Sequence, residues 1–336
     1  MKGSNHMRCW VAGEEAGLSN LKLETRDKPR PEPGHVVIRT EAAALNFSDI
    51  LMIDGKYQVR PERPFVPGQE VAGVVEAVPE GSKWKPGDRV AAKVYWGGFA
   101  EYVLLRDDMV IPLPDSISFA QGAALPVVYT TAMVALHHTA RVQSGQTVLV
   151  HAAAGGVGLA AVEIAKAAGA RVIATASSPG KLQIAVDHGA DVTINYRDDD
   201  WKDQVKAATD GRGADIIVDP VGGDVALQSL RCIARGGTLL IVGFASGKIA
   251  ELPSNLLLLK KVSAQGVMWD HNLDADMIAQ VTHQMVDLLI AGKINPLSHQ
   301  DYMLEDLPQA LESLGNRAST GKLVLGFNSE GKPDGK

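Results

Sequence analysis

Residues 148–181, VLVHAAAGGVGLAAVEIAKAAGARVIATASSPGK, constrain this chain more than any other stretch. A β-branched apolar run enters a glycine turn, an Ala-rich helical period follows, and a second apolar run ends in TASSPGK. Strand, tight turn, helix and strand in so short a span make a βαβ unit, whose crossover lays the two strands parallel in one sheet. TVLVHA, RVIATA, VTINY, ADIIVDP, GTLLIVGF and KVSAQGVM recur as short buried strands between helical stretches such as KLQIAVDHG. Six such strands specify an α/β, doubly wound parallel sheet of the Rossmann type.

In a dinucleotide loop the first glycine makes the tight turn and the second lets backbone reach the pyrophosphate. The third lets helix and sheet pack closely. Aligned to that pattern, A-A-G-G-V-G places Ala153 first, Gly155 second and Gly158 third. An alanine serves in the first place only if its φ stays negative. No acidic residue occurs between Glu163 and Asp187, so the carboxylate that would bind a ribose 2′-hydroxyl is missing from the second strand's end. Ser177, Ser178 and Lys181 stand there instead, with Asn195, Tyr196 and Arg197 ending the next strand. Hydroxyls and an ammonium bind a 2′-phosphate that a carboxylate would repel. The expected cofactor is NADPH.

Ahead of this region, HVVIRTEAAAL, EVAGVVEAV, DRVAAKV and FAEYVLL read as strands broken by Pro- and Gly-rich turns, so a mostly β domain is expected over residues 7–127. The Rossmann domain is expected over 128–270, and a return to the first domain over 271–327. MKGSNH at positions 1–6 has no apolar run and reads as an extraneous leader before a start at Met7. The formal charge of −6 argues against nucleic-acid binding, and no apolar run is long enough for a membrane-spanning helix. Two cysteines, Cys9 and Cys232, rule out a disulfide framework and suit the reducing cytoplasm.

LNFSDILMIDGKY, RPFVPGQEVAGVV, WKPGDRVAA, GGFAEYVLL, LPVVYTTAMVAL and VLVHAAAGGVG together resemble the zinc-independent quinone oxidoreductases of the medium-chain dehydrogenase/reductase superfamily, which includes zeta-crystallin. The resemblance runs from Met7 to about Phe327 and implies a GroES-like catalytic domain, a Rossmann domain, NADPH and a homodimer. Zinc-dependent relatives carry a Cys where this chain has Asn46, and a His where Pro67-Gly68-Gln69-Glu70 has Gln69. The expected chemistry is therefore metal-free.

Without a Lewis acid, hydride transfer to an acceptor already polarised by conjugation is the accessible reaction, and a positioned donor must support the oxyanion or give a proton. The expected acceptor is a quinone or an α,β-unsaturated ketone or aldehyde. Asn46 could offer its amide to a carbonyl or to the nicotinamide ribose. Tyr57 completes an N-x-S-D-I-x-M-I-x-G-x-Y pattern in which enoyl thioester reductases carry a proton-donating tyrosine, and the alternative role is an aromatic packed over a loop. Asp49 is read as a helix cap.

The resemblance further implies Thr130 near the carboxamide, Gly155, Gly156 and Val157 at the pyrophosphate, and Ser177, Lys181 and Tyr196 around the 2′-phosphate. Gly243, Phe244 and Ala245, with Gly266, Val267 and Met268, would face the nicotinamide ribose, and Arg317 would lie near the phosphates. Three alternatives stay open: an enoyl thioester reductase, which would need a basic patch for the CoA 3′-phosphate, a zinc alcohol dehydrogenase, and a non-enzymatic, crystallin-like NADPH-binding protein. A homodimer would form by edge pairing of KVSAQGVM.

Overall fold

The computed structural model describes residues 5–316 and 319–327. They fall into two compact units, one from the described parts of Met1–Val127 and Pro296–Lys336, the other Val128–Asn295.

The first unit begins with an antiparallel pair, β1 (His6–Ala12) and β2 (Leu21–Asp27), followed by the long strand β3 (His35–Ala44) and the short helix α1 (Phe47–Ile53). Next come β4 (Glu70–Ala77), β5 (Arg89–Lys93), β6 (Tyr102–Arg106), β7 (Val110–Pro112) and α2 (Phe119–Ala123). The alternation of these runs lets every second side chain enter one core built on Ile38, Leu45, Met52, Ile53 and Phe99. Asn5 and His6, within the stretch read as a leader, extend the first hairpin. His6 pairs with Asp27 in register, and the Lys28 N–H bonds Asn5 O at 3.0 Å. A strand ladder uses backbone groups, so residues of no distinctive pattern can join it.

The second unit opens with α3 (Val128–Met133), which runs into a π-helical turn, Val134–Thr139. Strands β8 (Thr147–Val150), β9 (Arg171–Ala176), β10 (Val192–Asn195) and β11 (Ala214–Asp219) alternate with helices α4 (Gly156–Ala167), α5 (Pro179–Asp187) and α6 (Trp201–Ala207). Helix α7 (Gly223–Cys232), β12 (Ile233–Ile241), α8 (Ser254–Lys260), β13 (Ser263–Gly266) and α9 (Ala275–Ile290) complete it. The sheet order is β10-β9-β8-β11-β12-β13, all parallel. That is the Rossmann order, reversing direction at β8, and it matches the sequence expectation.

Helix α9 was expected in the returning segment, but it belongs to the second unit. Its Ile278, Val281, Met285 and Leu289 form one buried stripe, and the helix packs against α3 and the π-helical turn. Amphipathic periodicity reveals a buried face without revealing which partner covers it. The chain rejoins the first unit at Pro296, through β14 (Ser298–Met303), α10 (Leu307–Gly315) and β15 (Lys322–Gly326). The first unit's main sheet then reads β14-β15-β3-β4-β5-β7, with β6 pairing β3. The pairing of Val324 with Ala44 brings Lys322 beside the end of β3.

Candidate active site

In the first unit, Asn46 is the N-cap of α1, and its own N–H donates to Asp49 Oδ2 at 2.7 Å. That contact is the acidic half of a capping box, as the sequence suggested for Asp49. Asn46 Nδ2 donates to Glu70 Oε1 at 2.9 Å, and Asn46 Oδ1 accepts from Lys322 Nζ at 2.7 Å. Lys322 also donates to Leu45 O at 2.7 Å and pairs with Glu70, so its three ammonium protons each have an acceptor. Glu70 Oε2 receives the Val127 N–H at 2.9 Å. Glu70 is 0% and Lys322 5% exposed, a buried ion pair with its hydrogen bonds satisfied. The Asn46 amide is thus clamped at both ends, with one N–H left to offer a ligand.

Asp49 lies beside this pair and is completely buried. Burial pushes its carboxyl up to about 7, against the Asn46 N–H and the Lys322 ammonium, which favour the anion, and with the Glu70 charge, which disfavours it. Its Oδ1 has no hydrogen-bond partner.

Tyr57 follows α1 through a turn in which Gly55 takes φ 69, and the Tyr57 N–H bonds back to Leu51 O at 3.1 Å. Its ring packs on the core while staying half-buried. Burial raises the phenol's pKa, a hydrogen bond with the Gln69 side chain opposes the rise, and the Asp49 charge adds to it. Gln69 in turn accepts from the Ser48 hydroxyl. Asn46, Asp49, Glu70 and Lys322 thus form one hydrogen-bonded cluster at the start of α1, with the Ser48–Gln69 contact next to it in the chain.

This donor set does not fit zinc. The positions at which zinc-dependent relatives place a thiolate and an imidazole hold the amides of Asn46 and Gln69, and the Asn46 oxygen already serves an ammonium. Among the described residues, no group of three or more His, Cys, Asp or Glu could hold a metal ion.

In the second unit the glycine turn leads directly into α4. Gly155 is the N-cap, and Gly156 and Val157 are the first two helical residues, whose N–H groups precede the helical hydrogen-bond ladder. Gly158 is essential to the packing, because a Cβ there would lie 2.3 Å from Ala152 O. The left-handed residue of the turn is Ala152, at φ 48, and Ala153 keeps a negative φ. Backbone N–H groups at a helix start with glycine-permitted close approach suit a dinucleotide pyrophosphate.

Most of the other residues expected to meet the cofactor lie at the carboxyl edge of the parallel sheet. Ser177 follows β9, Lys181 lies in the first turn of α5, and Tyr196 follows β10, with its N–H bonded to Ala176 O at 3.2 Å. Gly243, Phe244 and Ala245 follow β12, and the Ala245 N–H bonds Pro220 O at 3.0 Å. Gly266 ends β13, and Val267 and Met268 continue beside Ile241. Thr130 is buried in α3. Arg317 lies outside the described residues.

Sequence reasoning missed Glu70 and Lys322 as a pair, and it missed the contact of Ser48 with Gln69. It also missed His151, which is buried at the end of β8 between Thr175 Oγ1 and Ser229 Oγ, each at 2.8 Å, and which burial pushes down to about 3. A neutral imidazole bridging two hydroxyls there is a structural core group.

A basic cluster does exist, as a concavity of about 420 Å³ lined by Lys206, Arg212, Arg231, Arg235 and Lys260. It lies at the start of β12 and the ends of α6, α7 and α8, the edge opposite the glycine turn. Lys260 donates to Leu230, Arg231 and Ile233 carbonyls, and Arg235 donates to Leu259 O. These cations therefore serve helix C-termini.

Residues 32–115 match the family model described as alcohol dehydrogenase GroES-like domain, and residues 156–289 match the one described as zinc-binding dehydrogenase. A quinone oxidoreductase-like protein 2 homolog from Nematostella vectensis is 42% identical over 86% of this chain and 81% of its own length. Quinone oxidoreductase from Rattus norvegicus is 33% identical over 96% of this chain and 98% of its own. A solved structure of the quinone oxidoreductase from Thermus thermophilus, studied also as its complex with NADPH, superposes with a TM-score of 0.83 at 33% identity, covering 95% of this chain and 100% of that one. With the GroES-like unit, the Rossmann sheet and this similarity over almost its whole length, the chain belongs to the quinone oxidoreductase, zeta-crystallin-like family of medium-chain dehydrogenases/reductases.

Proposed function

We propose that this protein is an NADPH-dependent reductase that transfers hydride to a conjugated carbonyl acceptor, a quinone or an α,β-unsaturated ketone or aldehyde. The observation that carries the acceptor class is the Lys322 ammonium clamped between Asn46 and Glu70, in the amide-lined place where zinc relatives hold their metal. An acceptor polarised by its own conjugation needs no metal at that place.

NADPH, when bound, supplies the hydride. Ser177, Lys181 and Tyr196 bind its 2′-phosphate, and the N–H groups of Gly156 and Val157 bind its pyrophosphate, with Gly155 giving access. The free N–H of Asn46 orients a carbonyl or ribose oxygen, and Tyr57 delivers the proton that completes reduction. The protein works as a homodimer in which β13, the last strand of its sheet and largely exposed, pairs edge to edge with a second copy. Both cysteines are free and buried, which accords with residence in the cytoplasm.

NADPH absorbance with 1,4-benzoquinone, 9,10-phenanthrenequinone, a small enone and crotonyl-CoA tests this reading. Quinone or enone turnover with little crotonyl-CoA turnover is expected. A preference for crotonyl-CoA would favour the enoyl thioester reductase that the position of Tyr57 also suits. NADPH binding without any turnover would favour a non-enzymatic role.

A further inference from the structure

Glu163 has no part in the chemistry described above, yet it is a carboxylate buried in the middle of α4, only 5% exposed. Its Oε2 accepts the Tyr129 hydroxyl at 2.6 Å and the Asn295 N–H at 3.0 Å, and its Oε1 meets His188 Nδ1 at 2.5 Å. A carboxylate only accepts, so Nδ1 is the nitrogen that carries the His188 proton. Tyr129 is buried too, and burial together with the Glu163 charge pushes its phenol well above the ordinary value, which keeps it a donor.

The helices that meet at this carboxylate are those that carry the expected cofactor residues. Tyr129 precedes Thr130 in α3. Glu163 lies about two turns into α4, whose start presents Gly156 and Val157. His188 is the C-cap of α5, whose first turn holds Lys181 just past Ser177. A helix moves nearly as a rigid rod, so a directional tie at one point sets where its end stands, whereas apolar packing alone leaves it free to slide. We propose that Glu163 is the positioning residue of the NADPH site: one carboxylate keys α3 at the carboxamide end and α5 at the 2′-phosphate end to the helix that holds the pyrophosphate. This rests on the placement of cofactor residues in the reductase reading above.

Cutting the ties one at a time tests it, with dissociation constants of NADPH, NADH and adenosine 2′,5′-bisphosphate measured by fluorescence and calorimetry on the whole chain. His188→Leu frees α5, and is expected to weaken NADPH and the bisphosphate by about threefold to tenfold while leaving NADH unchanged. His188→Asn, whose amide can stand where Nδ1 stood, is expected to restore both. Tyr129→Phe frees α3, and is expected to weaken NADPH and NADH alike while leaving the bisphosphate unchanged. Should either variant fail to fold, Glu163→Gln carries the same test and is expected to show both losses. A merely structural carboxylate would weaken all three ligands together or none, and either result overturns the proposal. A wild-type protein that binds NADPH no more tightly than NADH overturns the 2′-phosphate reading itself, whereas wild-type selectivity left intact by His188→Leu overturns only the proposal.

Discussion

Asp49→Asn should flatten the pH dependence of stability in the first unit. The Asp49 carboxyl titrates near 3.8 in an open chain and is raised to about 7 in the fold, chiefly by burial. A raised folded pKa means that the native state holds the proton more tightly than the unfolded state does. The resulting stability is complete below the unfolded value and is lost as pH rises through about 7. At 1.36 kcal/mol per pH unit, the loss between pH 5 and pH 8 is about 2–3 kcal/mol. Lys322 and Glu70, the charges nearest to it, pull the value in opposite directions, so burial sets the sign. An asparagine has nothing to ionise, and its side-chain oxygen can still accept the Asn46 N–H. Urea unfolding of both proteins at pH 5, 6, 7 and 8 measures the difference directly, and ¹³C NMR of the aspartate carboxyls, assigned through the variant, measures the titration itself. The wild type should lose stability relative to Asp49→Asn as pH rises. Parallel stability curves across that range, or an Asp49 carboxyl titrating near 4, would refute the reasoning.

Other perturbations follow from the same geometry. Glu70→Gln should destabilise by about 3–5 kcal/mol in urea unfolding, since it leaves a buried ammonium without its counter-charge. Ala152→Gly should raise stability by up to about 1 kcal/mol, because glycine relieves the left-handed φ at that turn and loses part of the gain to chain entropy. Gly158→Val should abolish NADPH binding measured by fluorescence, as its Cβ would collide with the Ala152 carbonyl at the start of α4. Lys181→Glu should raise KM for NADPH by tenfold or more while leaving KM for NADH within about twofold, and equal changes for both would remove Lys181 from the phosphate site. Tyr57→Phe should cut kcat for enones by about tenfold or more, the usual scale of general-acid catalysis.

The Rossmann half of the fold was legible because its information is local. Each strand is a short β-branched run, each helix has its own period, and the glycine turn declares itself by residue type. Gly158 kept the packing role expected of it, and Ala153 keeps the negative φ that an alanine needs there, while the left-handed residue of the turn is Ala152. Helix α9 was legible as a helix but not as a member of the second unit, because a buried stripe does not name its partner.

The sequence alone determined the parallel sheet and its glycine turn, and it singled out Asn46 and Tyr57 as candidates, all through patterns spanning a few tens of positions. It also showed that no carboxylate follows β9, which is the basis of the NADPH expectation. Only the tertiary structure decided what surrounds those residues. Lys322 reaches Asn46 from 276 positions away, because β15 returns antiparallel to the end of β3. Gln69 meets the Ser48 hydroxyl from 21 positions away, a contact that no local pattern encodes. Hydrogen bonds and burial depend on distance in space, and pairing between remote strands leaves no periodic signal in the chain.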